Sequence, residues 1–499
     1  GTIAIGLMLF GGISKTFFPA SERTQLQVIV ELPVGSNTYA TRGVVERLQS
    51  WLDDRETNPE VASTIAYVAT GGPRFYLSLS PIDGFPNKGY FIVNVDDAGS
   101  IDGLANRIRS FAASNAPEAR VMPEKMSLGP AKAGEVAYRI YGPNASELMD
   151  AADRLKSEIR QDVGARAVKD DWENPTVTLR IVIDQEAARR VGVTSADISD
   201  ALNAQLSGVA ISDYRLGDLS IPILVRSAGE ARQNIDRLRT LNIGRADGTP
   251  VPLLQVAQIS GVPQYSRIKR RDLERVVTVS SIHATDTAAA FHGRLIPAVT
   301  EIASSLPPGY RIETGGEVEE SRTANEKLSS NLPLALALIV LTLIWQFNSF
   351  SRAALVLAVV PLSLTGVGLA LFVAPGANFG FMAILGLLAL FGIIINNAII
   401  LIERIDIERE RCNDVRQAVV EASVRRLRPI AMTTCTTALG LAPIILARDV
   451  LFYDLALVIA GGLFFGTLLT LVVIPCLYAI CFIPGENRRV RASLDDSGR

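Results

Sequence analysis

The sequence predicts a bundle of membrane-spanning helices joined to a folded body of α+β class. Two observations support this prediction. Residues 329–483 are almost continuously apolar, whereas residues 20–328 are rich in charge and in alternating apolar and polar positions. Within the apolar part, residues 379–402 and 430–447 are each long enough to cross a hydrocarbon core of about 30 Å at about 1.5 Å per residue. The chain is therefore expected to be a polytopic membrane protein.

About six spans are expected in total. Besides the two spans already described, residues 332–347, 353–374 and 455–482 form apolar stretches of sufficient length. The start of the chain, GTIAIGLMLFGG, is apolar but short, and it lacks the basic residues that open a signal peptide. We interpret residues 1–19 as the outer end of a truncated transmembrane helix, so that the chain is expected to be a fragment.

Arginine distribution predicts the orientation of these spans. Seven arginines lie in the segment 403–429, and the tail 484–499 carries Arg488, Arg489 and Arg491. Short basic loops resist translocation, which places this predicted loop and the tail in the cytoplasm. Alternation of the spans then places the large folded body on the opposite side, in the periplasm of a bacterium with two membranes.

Composition excludes several classes of function. A net charge of −2 leaves no broad basic face for nucleic acid. The four cysteines all lie at or beyond position 412, so the folded body has no disulfide, and the two histidines argue against a histidine metal site or a catalytic triad. No phosphate-binding loop of the Walker type occurs, which argues against ATP-driven transport. We predict neither an enzyme nor a cofactor.

The folded body reads as two βαβ modules with an insertion. Strands are expected at residues 24–32, 61–70 and 90–95, with amphipathic helices at 36–52 and 101–112. This order is typical of a split βαβ, or ferredoxin-like, unit. The same order starts again near residue 135, where strands at 136–141 and 176–183 flank a helix. An insertion interrupts it, and it resumes with a strand at 275–283. We predict modules at 20–125 and at 126–183 with 261–328, an inserted subdomain at 184–260, and the membrane domain at 329–483.

Five stretches of the chain resemble the C-terminal half of a resistance-nodulation-division (RND) efflux permease of the hydrophobe/amphiphile multidrug type. They are FFPASERTQLQVIVELPVGSN, GGPRFYLSLSP, MSLGPAKAGEVAYRIYGPNASEL, NNAIILIERI and RRLRPIAMTT. The resemblance implies a trimeric inner-membrane pump that is driven by protons, with a periplasmic porter domain made by the two modules. It also implies that the inserted subdomain is part of a docking funnel, and that the partners are an adaptor protein and an outer-membrane channel.

The same resemblance implies a proton relay in the membrane. The family's tenth-helix lysine falls at Asn396, beside Asn397, while Arg426 and Thr433 match its eleventh-helix arginine and threonine. An asparagine donates hydrogen bonds to a carboxylate but supplies no charge, which leaves the coupling ion open. The asparagines can equally serve as packing contacts, Arg426 as a cytoplasmic anchor, and a threonine as a donor to its own helix.

Aromatic residues cluster around the segment 71–88, where the family has its pocket and switch loop. These candidate substrate-binding residues are Tyr67, Phe75, Tyr76, Phe85 and Tyr90. Aromatic faces suit varied apolar ligands, although aromatics at strand ends also serve as ordinary core. Met122 and Met126 are thioether donors suited to soft metals, but two methionines without a companion are more typical of gap-filling.

These observations favour a secondary active exporter of hydrophobic or amphiphilic small molecules, embedded in the inner membrane. Two alternatives stay open: an RND-like lipid or sterol sensor, and an accessory protein of protein export that uses proton flux. The large insertion favours the pump, because a funnel serves a channel partner.

Overall fold

The computed structural model describes residues 8–13, 16–19, 21–76, 79, 83–227, 235–245, 248–411 and 414–497, with residues 235 and 483–497 described by backbone alone. The chain divides into two compact units, one made of Gly1–Trp172 with Ile268–Arg499 and the other of Glu173–Arg267. Much of the predicted truncated helix, residues 1–7 and 14–15, lies outside the described residues.

The first module is a four-stranded antiparallel sheet with two helices on one face. Its elements in chain order are β1 (Gln25–Glu31), α1 (Thr38–Leu52), β2 (Val61–Val68), β3 (Lys88–Val95), α2 (Ile101–Asn115) and β4 (Arg120–Lys125). The strand order is β2–β3–β1–β4. Leu26, Val28 and Val30 of β1 are buried in the core that α1 and α2 complete, because alternate residues of a strand point to opposite faces. The sequence did not predict β4, whose RVMPEK lacks a clear alternation.

The second module begins after a short connection. Its first elements are β5 (Glu135–Tyr141), α3 (Ala145–Gln161) and β6 (Ala165–Asp170). Asn144 caps α3 by accepting a hydrogen bond from the Ser146 amide, which satisfies one of the free amides at the helix start. The chain then leaves this module at Trp172 and returns to it at Ile268.

The inserted unit, Glu173–Arg267, is compact by itself. Its elements are β7 (Thr176–Ile183), α4 (Gln185–Val191), α5 (Ser195–Leu206), β8 (Val209–Leu216), β9 (Leu219–Val225), α6 (Ile235–Arg239), β10 (Asn242–Gly244), β11 (Pro250–Pro252), α7 (Leu253–Val256) and β12 (Ala257–Gln264). A capping box of Thr194 and Asp197 starts α5. The hairpin of β8 and β9 exposes every residue of both strands.

The second module resumes with β13 (Arg270–Arg271), β14 (Glu274–His283), α8 (Ala288–Ser305) and β15 (Arg311–Gly315). The strand order is β13–β14–β5–β15, with β6 also paired to β14. This corrects one prediction. Residues 176–183 form a strand, as expected, but β7 pairs with β12 in the inserted unit, while β6 joins the module sheet in its place. The alternating TVTLRIVI pattern indicates a strand without specifying its partner.

Among the residues that the structure describes, five helices are long and apolar enough to cross a membrane: Gly316–Phe347, Phe350–Val373, Phe381–Arg411, Val415–Ala447 and Tyr453–Phe482. In chain order they are α9 (Gly316–Phe347), α10 (Phe350–Leu357) continued by α11 (Val359–Val373), α12 (Phe381–Arg411), α13 (Val415–Ala447) and α14 (Tyr453–Ser497). All five correspond to predicted spans. The C-terminal helix α14 extends through most of the predicted tail.

The prediction that residues 403–429 form a loop is wrong. Helix α12 continues to Arg411 and α13 begins at Val415, so most of the arginine-rich segment is helical. Pairs of opposite charge four residues apart, Arg404–Glu408 and Glu421–Arg425, stabilise these helical extensions. The change from apolar to charged residues therefore marks the edge of the apolar segment and not the end of the helix.

Small residues let α11 and α14 approach closely. A Cβ atom built on Gly366 of α11 would lie 2.5 Å from the Cβ of Phe465 and 3.1 Å from the carbonyl oxygen of Gly461. A Cβ on Gly466 would lie 3.3 Å from the Cβ of Ser363. Gly462 and Gly466 therefore serve close helix packing, as their spacing in the sequence indicates.

Candidate functional site

The face of the first module's sheet that points away from α1 and α2 carries a second apolar cluster. Ile29, Tyr90, Ile92 and Met126 are buried there, and Tyr67, Tyr76 and Met122 pack against them. We call Tyr67, Tyr76, Tyr90, Met122 and Met126 the tyrosine–methionine cluster. It forms because alternate residues of neighbouring antiparallel strands fall on one face, with Ile29 opposite both Tyr90 and Met122.

The aromatic rings of this cluster are arranged without close stacking. The ring centroids of Tyr67 and Tyr90 lie 6.3 Å apart at an interplanar angle of 41°, and the guanidinium of Arg23 lies 5.3 Å from the centroid of Tyr76. The Tyr90 hydroxyl donates to Oε1 of Gln27 at 3.4 Å. Burial, together with the neighbouring Tyr76 and Tyr67, raises the pKa of Tyr90 to about 12. Tyr90 is therefore a neutral phenol at physiological pH.

Three of the five predicted aromatic residues come together in this cluster. Phe75 lies at its edge, with its ring centroid 5.4 Å from that of Tyr76 and 39% of its surface exposed. Phe85 is half-buried at the end of the same loop, outside the cluster, and its carbonyl accepts a hydrogen bond from the Lys88 amide at 2.9 Å. Residues 77, 78 and 80–82 of that loop lie outside the described residues. Met126 is 1% exposed and fills space beside Tyr90.

A charged group borders the cluster, and the sequence analysis missed it. Glu31 of β1 accepts from Nζ of Lys88 at 3.2 Å, and its carboxylate also lies 3.8 Å from Arg120 and 3.9 Å from Lys169. Lys132 pairs with Glu124 close by. The register that places Glu31 opposite Lys88 could have been found by aligning the alternation of β1 and β3. The approach of Lys169 from β6 has no signal in the local sequence.

The pKa values of two carboxyls in this region are shifted in opposite directions. Burial opposes ionisation of Glu31, but Lys169, Lys88 and Arg120 outweigh it and hold the pKa of this carboxyl below its usual value. Burial raises the pKa of Glu135, and the nearby Glu124 adds to the shift. The region therefore combines a polarizable apolar face with fixed charges of both signs. Among the residues that the structure describes, no group of three or more His, Cys, Asp or Glu side chains could hold a metal ion.

The four predicted relay residues have different surroundings. Asn397 of α12 is 7% exposed within the chain, whereas its neighbour Asn396 is exposed. Thr433 of α13 is exposed, and its hydroxyl donates to the carbonyl of Ile430 at 2.9 Å. Arg426 is half-buried. Within the described part of the chain, no hydrogen bond or ion pair joins these four side chains to one another.

The polar contacts that do link the membrane helices lie elsewhere. The hydroxyls of Thr434 and Thr467 meet at 2.9 Å in the buried interface of α13 and α14. Asp406 of α12 accepts from the hydroxyl of Tyr478 at 2.7 Å and lies 3.2 Å from Arg352. The Glu408 carboxylate, only 3% exposed, binds Arg404 and Arg425. The alternation of acids and arginines in ERIDIERER is a signal for ion pairs, but the residues on other helices that pair with these acids could not be predicted from it.

Comparison with known proteins decides the family. The sequence model of the family described as AcrB/AcrD/AcrF matches residues 1–481. The chain belongs to this family. The resemblance to RND permeases is thereby confirmed, together with the prediction of an inner-membrane protein, and the family is one of transporters and not of enzymes. Neither a lipid or sterol sensor nor a protein-export accessory is favoured by this match.

Several relatives that the chain resembles are named as metal-resistance proteins. It is 31% identical over 359 residues, 69% of its length and 33% of the relative's, to the nickel and cobalt resistance protein CnrA of Cupriavidus metallidurans. It is 28% identical over 506 residues, 96% of its length and 45% of the relative's, to the nickel-cobalt-cadmium resistance protein NccA of Alcaligenes xylosoxydans xylosoxydans. The chain thus spans less than half the length of these relatives.

A solved structure shows the same fold. The chain superposes with a TM-score of 0.78 and 26% identity on a crystal structure of a heavy metal efflux pump, covering 96% of this chain and 49% of that one. The predicted hydrophobe/amphiphile type therefore has no specific support, since these similar proteins carry names of metal resistance or metal efflux. Local motifs of the permease fold identified the family, but they do not distinguish its substrate classes.

Proposed function

We propose that this chain is one repeat of an RND exporter that moves divalent heavy-metal cations out of the periplasm. The single observation that carries the proposal is the match of residues 1–481 to this transporter family together with metal-resistance relatives at 28–31% identity. Export would be secondary active and driven by protons, as the resemblance to RND permeases implies; this sequence carries no phosphate-binding loop that would indicate ATP instead. A second repeat would complete the membrane domain, consistent with the chain covering 49% of the similar pump.

A second candidate substrate class is hydrophobic or amphiphilic small molecules. The tyrosine–methionine cluster favours it, since aromatic and thioether side chains bind apolar ligands. The lack of a three-residue group of metal-type ligands among the described residues favours it as well. Candidate ligands for a metal are then the Met122 and Met126 thioethers and side chains of the second repeat.

The two substrate classes are separated by one experiment. The complete permease that contains this chain is expressed in a strain lacking its own RND pumps, and cellular nickel, cobalt, zinc and cadmium are measured beside the accumulation of several amphiphilic dyes. We expect at least one metal to fall several-fold with the dyes unchanged. A fall in dyes alone would support the second class, and no change in either would contradict export by this protein.

We also propose the domain roles that the family implies. The two modules would form the porter domain. Each has an antiparallel sheet and two helices, in the order along the chain that is typical of a ferredoxin-like unit. The inserted unit would dock onto an adaptor protein or an outer-membrane channel, and three copies of the permease would surround the funnel. The β8–β9 hairpin supports a docking role, because apolar side chains including Tyr214, Ile221 and Ile223 are 45–58% exposed on it.

The proposed relay assigns different roles to the two asparagines. Asn396 is exposed on α12 and would face a titrating carboxylate of the second repeat, with Thr433 and Arg426 nearby on α13, whereas Asn397 packs inside the bundle. We expect Asn396→Ala to lower export several-fold at unchanged thermal stability, and Asn397→Ala to lower the unfolding temperature more than it lowers export per folded molecule. The metal content of cells that carry each variant in the complete permease, together with the unfolding midpoint, tests this. Equal export by both variants would remove Asn396 from the relay.

A further inference from the structure

Lys169 extends from the second module to the border of the tyrosine–methionine cluster. It lies on β6, and its Nζ is 3.9 Å from Sδ of Met122 on β4 and 3.9 Å from the Glu31 carboxylate on β1. Its side chain is 26% exposed, so water reaches the ammonium group. A thioether sulfur and a carboxylate are the groups that a bound cation also prefers. The Lys169 ammonium therefore occupies the position of a tethered cation.

Positive charges outnumber negative charges around Glu31. Lys88, which lies on the same sheet, already pairs with Glu31 at 3.2 Å, and Arg120 lies at 3.8 Å. Lys132 and Glu124 neutralise each other. Glu135 is a third carboxyl in this region, and burial raises its pKa. The four cations Lys88, Arg120, Lys132 and Lys169 therefore outnumber the three carboxyls, and the Lys169 ammonium lies 3.9 Å from the sulfur of Met122.

We propose that Lys169 determines which charge of substrate enters the tyrosine–methionine cluster. Its ammonium repels cations from the Met122 sulfur, and a cationic substrate enters only by displacing Lys169 from Glu31 and Met122. This inference rests on the proposed function in so far as the cluster is taken as a substrate site. The electrostatic effect itself follows from the positions of the side chains, because a charge about 4 Å away in a partly buried site is weakly screened.

The test measures the local potential with charged thiol reagents. In the complete permease, purified in detergent, every native cysteine is replaced by serine or alanine, including Cys412, Cys435, Cys476 and Cys481 of this chain. Met122→Cys then provides the probe thiol. The rates of reaction with a trimethylammonium methanethiosulfonate and with a sulfonate methanethiosulfonate are compared. We expect Lys169→Met to raise the ratio of the cationic to the anionic rate by on the order of tenfold.

Two matched variants control for other effects. Lys125 lies on β4 as Met122 does, but on the opposite face of the sheet, where it pairs with Asp102 at 2.8 Å. Lys125→Met removes the same charge and should leave the ratio nearly unchanged. Lys169→Arg keeps the charge and should preserve the original ratio. Both reagents react with the same thiol, so the ratio of their rates cancels the intrinsic reactivity of that thiol and reports the local charge.

Two outcomes would overturn the proposal. The first is an equal change of ratio in Lys169→Met and Lys125→Met, which would show that Lys169 has no special influence on the cluster. The second is a probe thiol that stays unreactive toward both reagents after Lys169 is replaced, which would show that Lys169 does not stand at an entrance. Because labelling needs no transport, a failure of metal export leaves this result unaffected.

Discussion

Replacing Gly366 by alanine is expected to destabilise the membrane domain by about 1–3 kcal/mol, the usual cost of inserting a methyl group into a close-packed interface. The added Cβ would lie 2.5 Å from the Cβ of Phe465 and 3.1 Å from the backbone oxygen of Gly461. Neither atom can move by a side-chain rotation, so α11 and α14 would have to separate. The free energy of unfolding in mixed detergent micelles measures the effect.

Gly392→Ala is the matched control. Gly392 also lies within a membrane helix, α12, but an added Cβ would meet no atom within 4 Å. Alanine has the higher helix propensity, so this variant should be neutral or more stable by up to about 1 kcal/mol. Equal destabilisation by the two substitutions would contradict the close approach of α11 to α14 and would point to a general intolerance of the bundle to alanine.

Removal of the Glu408 carboxylate is expected to cost about 3 kcal/mol of stability. Glu408 is 3% exposed and binds both Arg404 of α12 and Arg425 of α13, the latter at 3.0 Å. Breaking a buried ion pair from one side leaves like charges next to each other and away from full hydration. Because 47% of the Arg425 side chain is exposed, we place the cost of Glu408→Ala at the lower end of the range for buried pairs.

Glu421→Ala tests whether burial is the cause. Glu421 binds the same Arg425 at 2.6 Å, but its side chain is 38% exposed. An exposed pair of this kind contributes only about 0.3–0.5 kcal/mol, because water and salt screen it. Unfolding of the two variants under one set of conditions gives the comparison. A loss for Glu408→Ala no larger than that for Glu421→Ala would mean that the buried network does not hold α12 to α13.

The elements of this protein could be predicted because their patterns are local. The apolar runs that became the five spans, and the alternation that became β1, β3 and β14, are visible within a window of some ten to twenty residues. The arginine-rich segment led to one wrong prediction, a loop over residues 403–429. Charge ends an apolar run but not a helix, and the pairs Arg404–Glu408 and Glu421–Arg425 extend α12 and α13 past it.

The sites were predicted less completely for a related reason. Tyr67, Tyr76 and Tyr90 were singled out by local enrichment. Tyr67 and Tyr90 share one sheet face because β2 and β3 are neighbours, and Tyr76 packs against that face from the loop between the two strands. Asn396 and Asn397 are adjacent in sequence, and only the packing of α12 shows that the second is buried and the first is not. Substrate class lay beyond the sequence motifs, since the permease fold and its packing residues are shared by exporters of different ligands.

The sequence by itself determined that this chain is a membrane protein with a large α+β body and that it belongs among RND permeases, because hydrophobic period and short motifs are properties of neighbouring residues. Tertiary structure alone decided that β6 and not β7 completes the second module, that Lys169 reaches Glu31 and Met122, and that Gly366 meets Phe465. Each of these joins residues far apart along the chain, and such pairings are selected by the fit of whole surfaces during folding. No stretch of sequence read alone contains that information.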